Sequence, residues 1–115
     1  SLVDTGSGHV MLAFQDEARR TEMLAAHEAL EGETSLSESQ LLTILRRARK
    51  LGYWQGESLQ AHGVVDISVP VLQQHGHALA VLTCPFIRRI DRHVGADLET
   101  VRELLRGAAQ GLSLA

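Results

Sequence analysis

Leu51-Gly52-Tyr53-Trp54-Gln55-Gly56-Glu57, then His62-Gly63-Val64-Val65-Asp66-Ile67-Ser68-Val69-Pro70-Val71 and, past a turn, Ala80-Val81-Leu82-Thr83, form the stretch on which the fold depends. Gly52 closes a helix. Before it, Leu41, Ile44, Leu45, Ala48 and Leu51 recur at three- and four-residue spacing as one stripe expected to be buried, and glycine accepts the left-handed conformation that ends helices. After it, Val64 to Leu72 and Ala78 to Thr83 are two β-branched and aliphatic runs about His75-Gly76. A two-residue type I′ turn needs positive φ at both central positions, which glycine takes freely and histidine takes better than most residues. That turn pairs Gln74 with His77, Pro70 with Val81, and Ser68 with Thr83. Side chains alternate across a strand, so Asp66, Ser68 and Thr83 share one face, while Val65, Ile67, Val69, Leu82 and Cys84 share the other. The first face is seeded with polar groups; the second is apolar. Pro70 has no amide hydrogen and belongs near an edge or a bulge.

Working outward, Gly6 to Phe14 reads as a short helix opening at Ser7 or Gly8, and Asp16 as the N-cap of the next. Met23, Leu24, His27 and Leu30 keep helical spacing until Gly32, and Glu31 to Ser37 connects to the following helix. Ser35 with Glu38, or Ser37 with Gln40, makes its capping box. Toward the end, Asp97 caps a helix whose apolar positions are Leu98, Val101, Leu104, Leu105, Ala108 and Leu112. The pattern is α+β: an antiparallel sheet packed against helices.

At 115 residues the chain has the size of one domain. With 44% hydrophobic and 3% aromatic residues, its core must be aliphatic. A net charge of -3 argues against nucleic-acid binding by this segment, because such binding relies on cations neutralising phosphates. The lone Cys84 cannot form an internal disulfide, which fits a reducing, cytoplasmic setting. No apolar run approaches the length of a membrane span, so no membrane partner is expected.

Taken in order, Leu51 to Glu57, His62 to Val71 and Ala80 to Thr83 resemble the second half of the effector-binding domain of IclR-type bacterial transcription regulators. Thr5-Gly6-Ser7-Gly8-His9-Val10-Met11-Leu12-Ala13 is similar to that family's Gly-rich helix start, and Asp97 to Ala115 to its last helix. The resemblance implies a GAF-like, N-terminally truncated effector domain over residues 1–115, without the family's winged helix-turn-helix. It further implies a cytoplasmic homodimer or homotetramer that touches operator DNA only through that missing N-terminal domain. The expected function is to sense a small organic, carboxylate-bearing effector, with no enzymatic activity and no cofactor. The positions matching the family pocket are Gly6, Ser7, Gly56, Val64, Asp66 and Thr83. Gly56 stands where some members carry an acid, and Cys84-Pro85-Phe86 where many have Ser-Gly-Pro, so the resemblance does not carry over the identity of the ligand.

The residues support that site independently. A Gly6-Ser7-Gly8 helix start has little side-chain bulk over its free amides, which attract a carboxylate; the expectation puts it on Ser7 and Gly8, with Thr83 and Ser68 bonding its oxygens. Asp66 is a carboxylate in an apolar strand, and burying one without partners is costly. A bond to nearby backbone, or an edge position, would equally account for it. Asp4-Thr5-Gly6 is the tripeptide of aspartic protease active sites, but there it follows a strand in a nearly all-β fold. A protease-like enzyme, or an interaction domain without ligand, are the alternatives. His75 and His77 flank a turn, with His62 and His93 elsewhere, and no spacing brings three metal ligands together, so no metal site is expected. Cys84 reads as core, Arg46, Arg47, Arg49 and Lys50 as a solvated cationic helix end, and Arg88, Arg89 and Arg92 as possible partners for acids.

Overall fold

The computed structural model describes residues 2–27, 36–58, 62–87 and 97–113. Its elements run α1 (Gly6–Ala13), α2 (Glu17–Ala26), α3 (Glu38–Leu51), β1 (Trp54–Glu57), β2 (Val64–Leu72), β3 (Ala78–Ile87) and α4 (Leu98–Leu112). The strands form an antiparallel sheet in the order β1-β2-β3. This is the α+β arrangement expected from the sequence.

The register follows the alternation. Ser68 pairs with Thr83 and Pro70 with Val81, as expected. The turn is one residue longer than expected: the register shifts between Val71 and Leu72, so that Leu72 pairs with Ala78 and Leu79 is the extra residue on β3. Gln73 rather than Gln74 then meets His77, its N–H donating to His77 O at 2.8 Å, and Gln74–Gly76 makes a single 3-10 turn. Both His75 (φ 70) and Gly76 (φ 75) do take positive φ. The three-residue loop replaces the two-residue one because the bulge absorbs the extra residue and adds local twist. β3 continues past Thr83 to Ile87, and among the described residues it has no second neighbour, so Pro85 sits in an edge strand. Pro70 lies in the central strand, yet β1 pairs only with Val65 to Ser68, so β2 is locally an edge there.

Helices cover both faces of the sheet. On the polar-seeded side, Val10, Leu12, Ala13 and Phe14 of the α1 region meet Leu41, Leu45 and Ala48 of α3, with Trp54, Leu72 and Val81 of the sheet packed against them. On the other, Ile67, Val69 and Val71 meet Ala109, Leu98, Val101 and Leu105 of α4, with Tyr53 and Leu82 at the margin. α3 starts with the Ser37–Gln40 capping box and ends at Gly52 with φ 87; Ser35 lies outside the described residues.

Several expectations are corrected. α2 stops at Ala26, with His27 already extended and no residue of the helix buried; Leu30 and Gly32 lie outside the described residues. In α4 the buried residue is Ala109, while Leu104 and Leu112 are 68% and 61% exposed and Ala108 is exposed. A flat sheet covers only one stripe of a helix, and 98, 101, 105 and 109 make the better stripe. Arg49 is not simply solvated: its Nη1 donates to the carbonyls of Ala13 (3.0 Å) and Gln15 (3.2 Å), capping the end of α1. Cys84 is half-buried on the α4 side rather than in the core.

Candidate functional site

The polar-seeded face carries the candidate site. By direct pairing, Trp54 lies beside Ser68 and Gly56 beside Asp66 on β1, with Thr83 and Pro85 beside the same two residues on β3. Val64, at the start of β2, shares this face opposite Ile87. The structure therefore brings Gly56, Val64, Asp66, Ser68 and Thr83 onto one surface, because paired strand residues point the same way. α1 roofs part of it. Its C-terminal end is tied to β3 by Ala78 N–H donating to Phe14 O (2.8 Å) and Gln15 Nε2 donating to Ala78 O (3.0 Å). Its N-terminal end rests on Trp54.

The polar groups differ in how well they are satisfied. Ser68 is fully buried and shares a 2.9 Å hydroxyl hydrogen bond with the exposed Thr83. Asp66 is half-buried, and among the described residues no hydrogen bond or ion pair engages its carboxylate. A carboxylate so placed has unused acceptor capacity.

At the helix start the geometry departs from expectation. Thr5 is the N-cap of α1, and the Gly8 N–H donates to its Oγ1 at 3.1 Å, so this amide is not an open donor. The bare side of Gly8 is filled by backbone: a Cβ there would lie 2.2 Å from Leu2 O. Ser7 is exposed, its Oγ 3.4 Å from Thr5 Oγ1. Gly6 meets the sheet, where a Cβ would lie 2.2 Å from Trp54 Cε3. The Asp4-Thr5-Gly6 tripeptide thus leads into a helix, with Thr5 as its cap.

Two residues missed by the sequence reading sit here. The Trp54 indole lies across both Gly6 and Gly56, since a Cβ on Gly56 would be 2.9 Å from its Cζ2 and Cη2. His9 meets the indole edge-on, with ring centroids 5.8 Å apart at 62°. His9 is 5% exposed, and its Nε2 is 2.8 Å from Val3 O. A carbonyl only accepts, so Nε2 carries the hydrogen, and Nδ1 is a buried acceptor with no hydrogen-bond partner among the described residues. Burial holds the His9 pKa below its usual value, against the opposing pull of the Val3 carbonyl and the Asp4 charge. The neutral ring follows from that. The available signal was a lone tryptophan two positions before a strand glycine.

Among the described residues, hollows flank this layer. One, about 190 Å3, lies between α3 and β1, lined by Ile44, Arg47, Leu51, Tyr53, Trp54 and Gln55. Another, about 570 Å3, lies at the free end of β2 beneath α4; its charges, Glu103 and Arg106, pair with each other at 3.3 Å. Among the described residues no three His, Cys, Asp or Glu side chains gather as metal ligands. No described helix is long and apolar enough to cross a membrane. Arg88, Arg89, Arg92 and His93 lie outside the described residues.

Residues 1–114 match the family model described as "Bacterial transcriptional regulator IclR C-terminal". Nothing among curated proteins matches. Among solved structures, the C-terminal domain of the E. coli transcriptional regulator KdgR is 28% identical with a TM-score of 0.72, over 97% of this chain and 68% of that one. A double mutant of the PobR inducer-binding domain from Acinetobacter, in complex with 3-hydroxybenzoic acid, is 26% identical with a TM-score of 0.71, over 98% of this chain and 67% of that one. An IclR transcriptional regulator from Alicyclobacillus acidocaldarius shares the fold at 23% identity and a TM-score of 0.71; this chain spans 44% of its length.

Proposed function

Because the chain belongs to the C-terminal domain family of IclR-type bacterial transcriptional regulators, we propose that it senses a small carboxylate-bearing metabolite for a regulator whose DNA-binding region is a separate winged helix-turn-helix. The observation that carries this reading is the half-buried Asp66 carboxylate, unengaged among the described residues, on the sheet face that α1 partly roofs. A ligand hydroxyl donating to Asp66 uses that acceptor, and Thr83, exposed beside Ser68, supplies a hydroxyl. The relative bound to 3-hydroxybenzoic acid holds a ligand with one carboxylate and one hydroxyl, the pairing this surface favours.

Gly6, Ser7, Gly56, Val64, Asp66, Ser68 and Thr83 bound the proposed site. Gly8 contributes by letting the Leu2 backbone close on α1 rather than by an open amide. The ligand's carboxylate lies toward Ser7 and the positive end of the α1 dipole, away from Asp66, which repels it. In the cytoplasmic homodimer or homotetramer of the parent regulator, occupancy alters operator affinity only to the extent that the ligand binds one conformation better than another. No catalytic step is assigned to any residue.

Calorimetric titration tests the reading. A bound monocarboxylic acid should outcompete its methyl ester by about tenfold or more, since a charge-assisted hydrogen bond is worth roughly 1.5 to 3 kcal/mol. Asp66→Asn should change affinity for hydroxy acids while leaving the fold intact. Equal binding of acid and ester, or no effect of Asp66→Asn on any bound acid, would remove the support for this site.

A further inference from the structure

The effector site contains a ring of the protein's own. Trp54 is the sole tryptophan of the chain, and its six-membered ring lies where side chains of Gly6 and Gly56 would otherwise be, 2.2 Å from a Cβ on the first and 2.9 Å from one on the second. Both glycines bound the proposed site, so the space between the start of α1 and the β1 margin of the polar face is filled before any ligand arrives. His9 braces the indole edge-on, and the core cluster of α1 and α3 packs against it. Swinging the ring out toward the cleft beside Arg47 and Leu51 would strip it from both glycines and from His9, forfeiting close contacts on several sides. On the same face Asp66 is half-buried and Thr83 exposed.

We propose that Trp54 is the specificity-determining residue of this site: it occupies the volume an aromatic effector would need and restricts the ligand to short aliphatic acids, such as hydroxy acids whose hydroxyl meets Asp66. This rests on the sensor reading above and narrows its ligand class. The two glycines are part of the same device, since either one as alanine would collide with the indole.

The test uses the full chain with two probes, lactate as the short hydroxy acid and 3-hydroxybenzoate as the aromatic one, titrated by calorimetry. Trp54→Ala opens the space fully; Trp54→Leu opens part of it while keeping apolar contact with the α1 and α3 cluster, and circular dichroism identifies which variant is folded. The wild-type chain should bind lactate and reject 3-hydroxybenzoate. A folded variant should gain at least about tenfold in 3-hydroxybenzoate affinity, the scale on which a pocket discriminates a misfitting group. Lactate binding should also shift the emission of Trp54, with no other indole to mask it. Wild-type binding of 3-hydroxybenzoate as tight as that of the folded variant overturns the proposal and leaves the sensor reading standing. Lactate binding by the wild type with no aromatic gain in a folded variant overturns it too. If neither acid binds any of these proteins, the sensor reading falls and takes this proposal with it.

Discussion

Gly6 and Gly56 are glycines because of a neighbour, not because of backbone conformation. Neither has positive φ; what each lacks is room, since the Trp54 indole lies against both. Gly6→Ala should therefore displace the ring and destabilise the chain by about 1 to 3 kcal/mol, the usual cost of overpacking. Urea unfolding gives the loss of stability and the emission maximum of Trp54 reports the displacement; an unshifted spectrum would contradict the contact. His9 makes a pH prediction. Its folded-state pKa lies below the ordinary 6.5 because burial disfavours the imidazolium. Between those two values the unfolded chain binds a proton that the folded chain refuses, so stability is full above about pH 6.5 and declines as pH falls below it. His9→Phe, which cannot titrate, should flatten that part of the melting-temperature profile. An identical profile in the variant would assign the decline to other groups.

At the level of elements, the open end of β2 shows how a sheet edge is closed without a strand. Beyond Ser68 there is no β1 partner; Pro70 has no hydrogen to offer there, and the Leu72 N–H donates to Ser113 Oγ at 2.9 Å. Ser113 in turn donates to Ala109 O at 2.8 Å, so one hydroxyl joins the C-cap of α4 to the central strand. Ser113→Ala leaves the part-buried Leu72 amide without its acceptor and should cost about 1 to 3 kcal/mol. Hydrogen exchange at Leu72 should accelerate well beyond that at Ile67, which lies between two strands. Unchanged protection at Leu72 would mean that the amide finds another partner.

The whole molecule is a three-layer arrangement, α1 and α3 on one side of the sheet and α4 on the other. The proposed site and the apolar α4 interface are opposite faces of the same three strands, so a ligand that shifts the strands must also act on α4. With a net charge of -3 the chain is a poor polyanion binder. It should show no saturable, sequence-selective binding to duplex DNA at physiological salt, and a fluorescence anisotropy titration checks this. Selective binding by these 115 residues would place operator recognition inside the effector region.

Local pattern was enough to find Leu41, Leu45 and Ala48 of the buried α3 stripe, a capping box at Ser37–Gln40 or Ser35–Glu38, the Gly52 terminus and the Ser68–Thr83 register, because helix periodicity, capping and strand alternation are each encoded within a few residues; that Leu51, at the end of the stripe, is 39% exposed was not legible there. The shared face of Asp66, Ser68 and Thr83 followed from that register alone, whereas Gly56 joins it through the β1–β2 pairing. Other features were settled between segments far apart in sequence. Whether Leu104 or Ala109 is buried depended on which side of an amphipathic α4 met Val69 and Val71. Whether Arg49 stayed in solvent depended on where the carbonyls of Ala13 and Gln15 came to lie. Above all, the position of the Trp54 ring over Gly6 and Gly56 is a packing outcome between a helix and a strand about fifty residues apart, and no periodicity carries that information, since a side chain comes to rest where the assembled layers leave it a space.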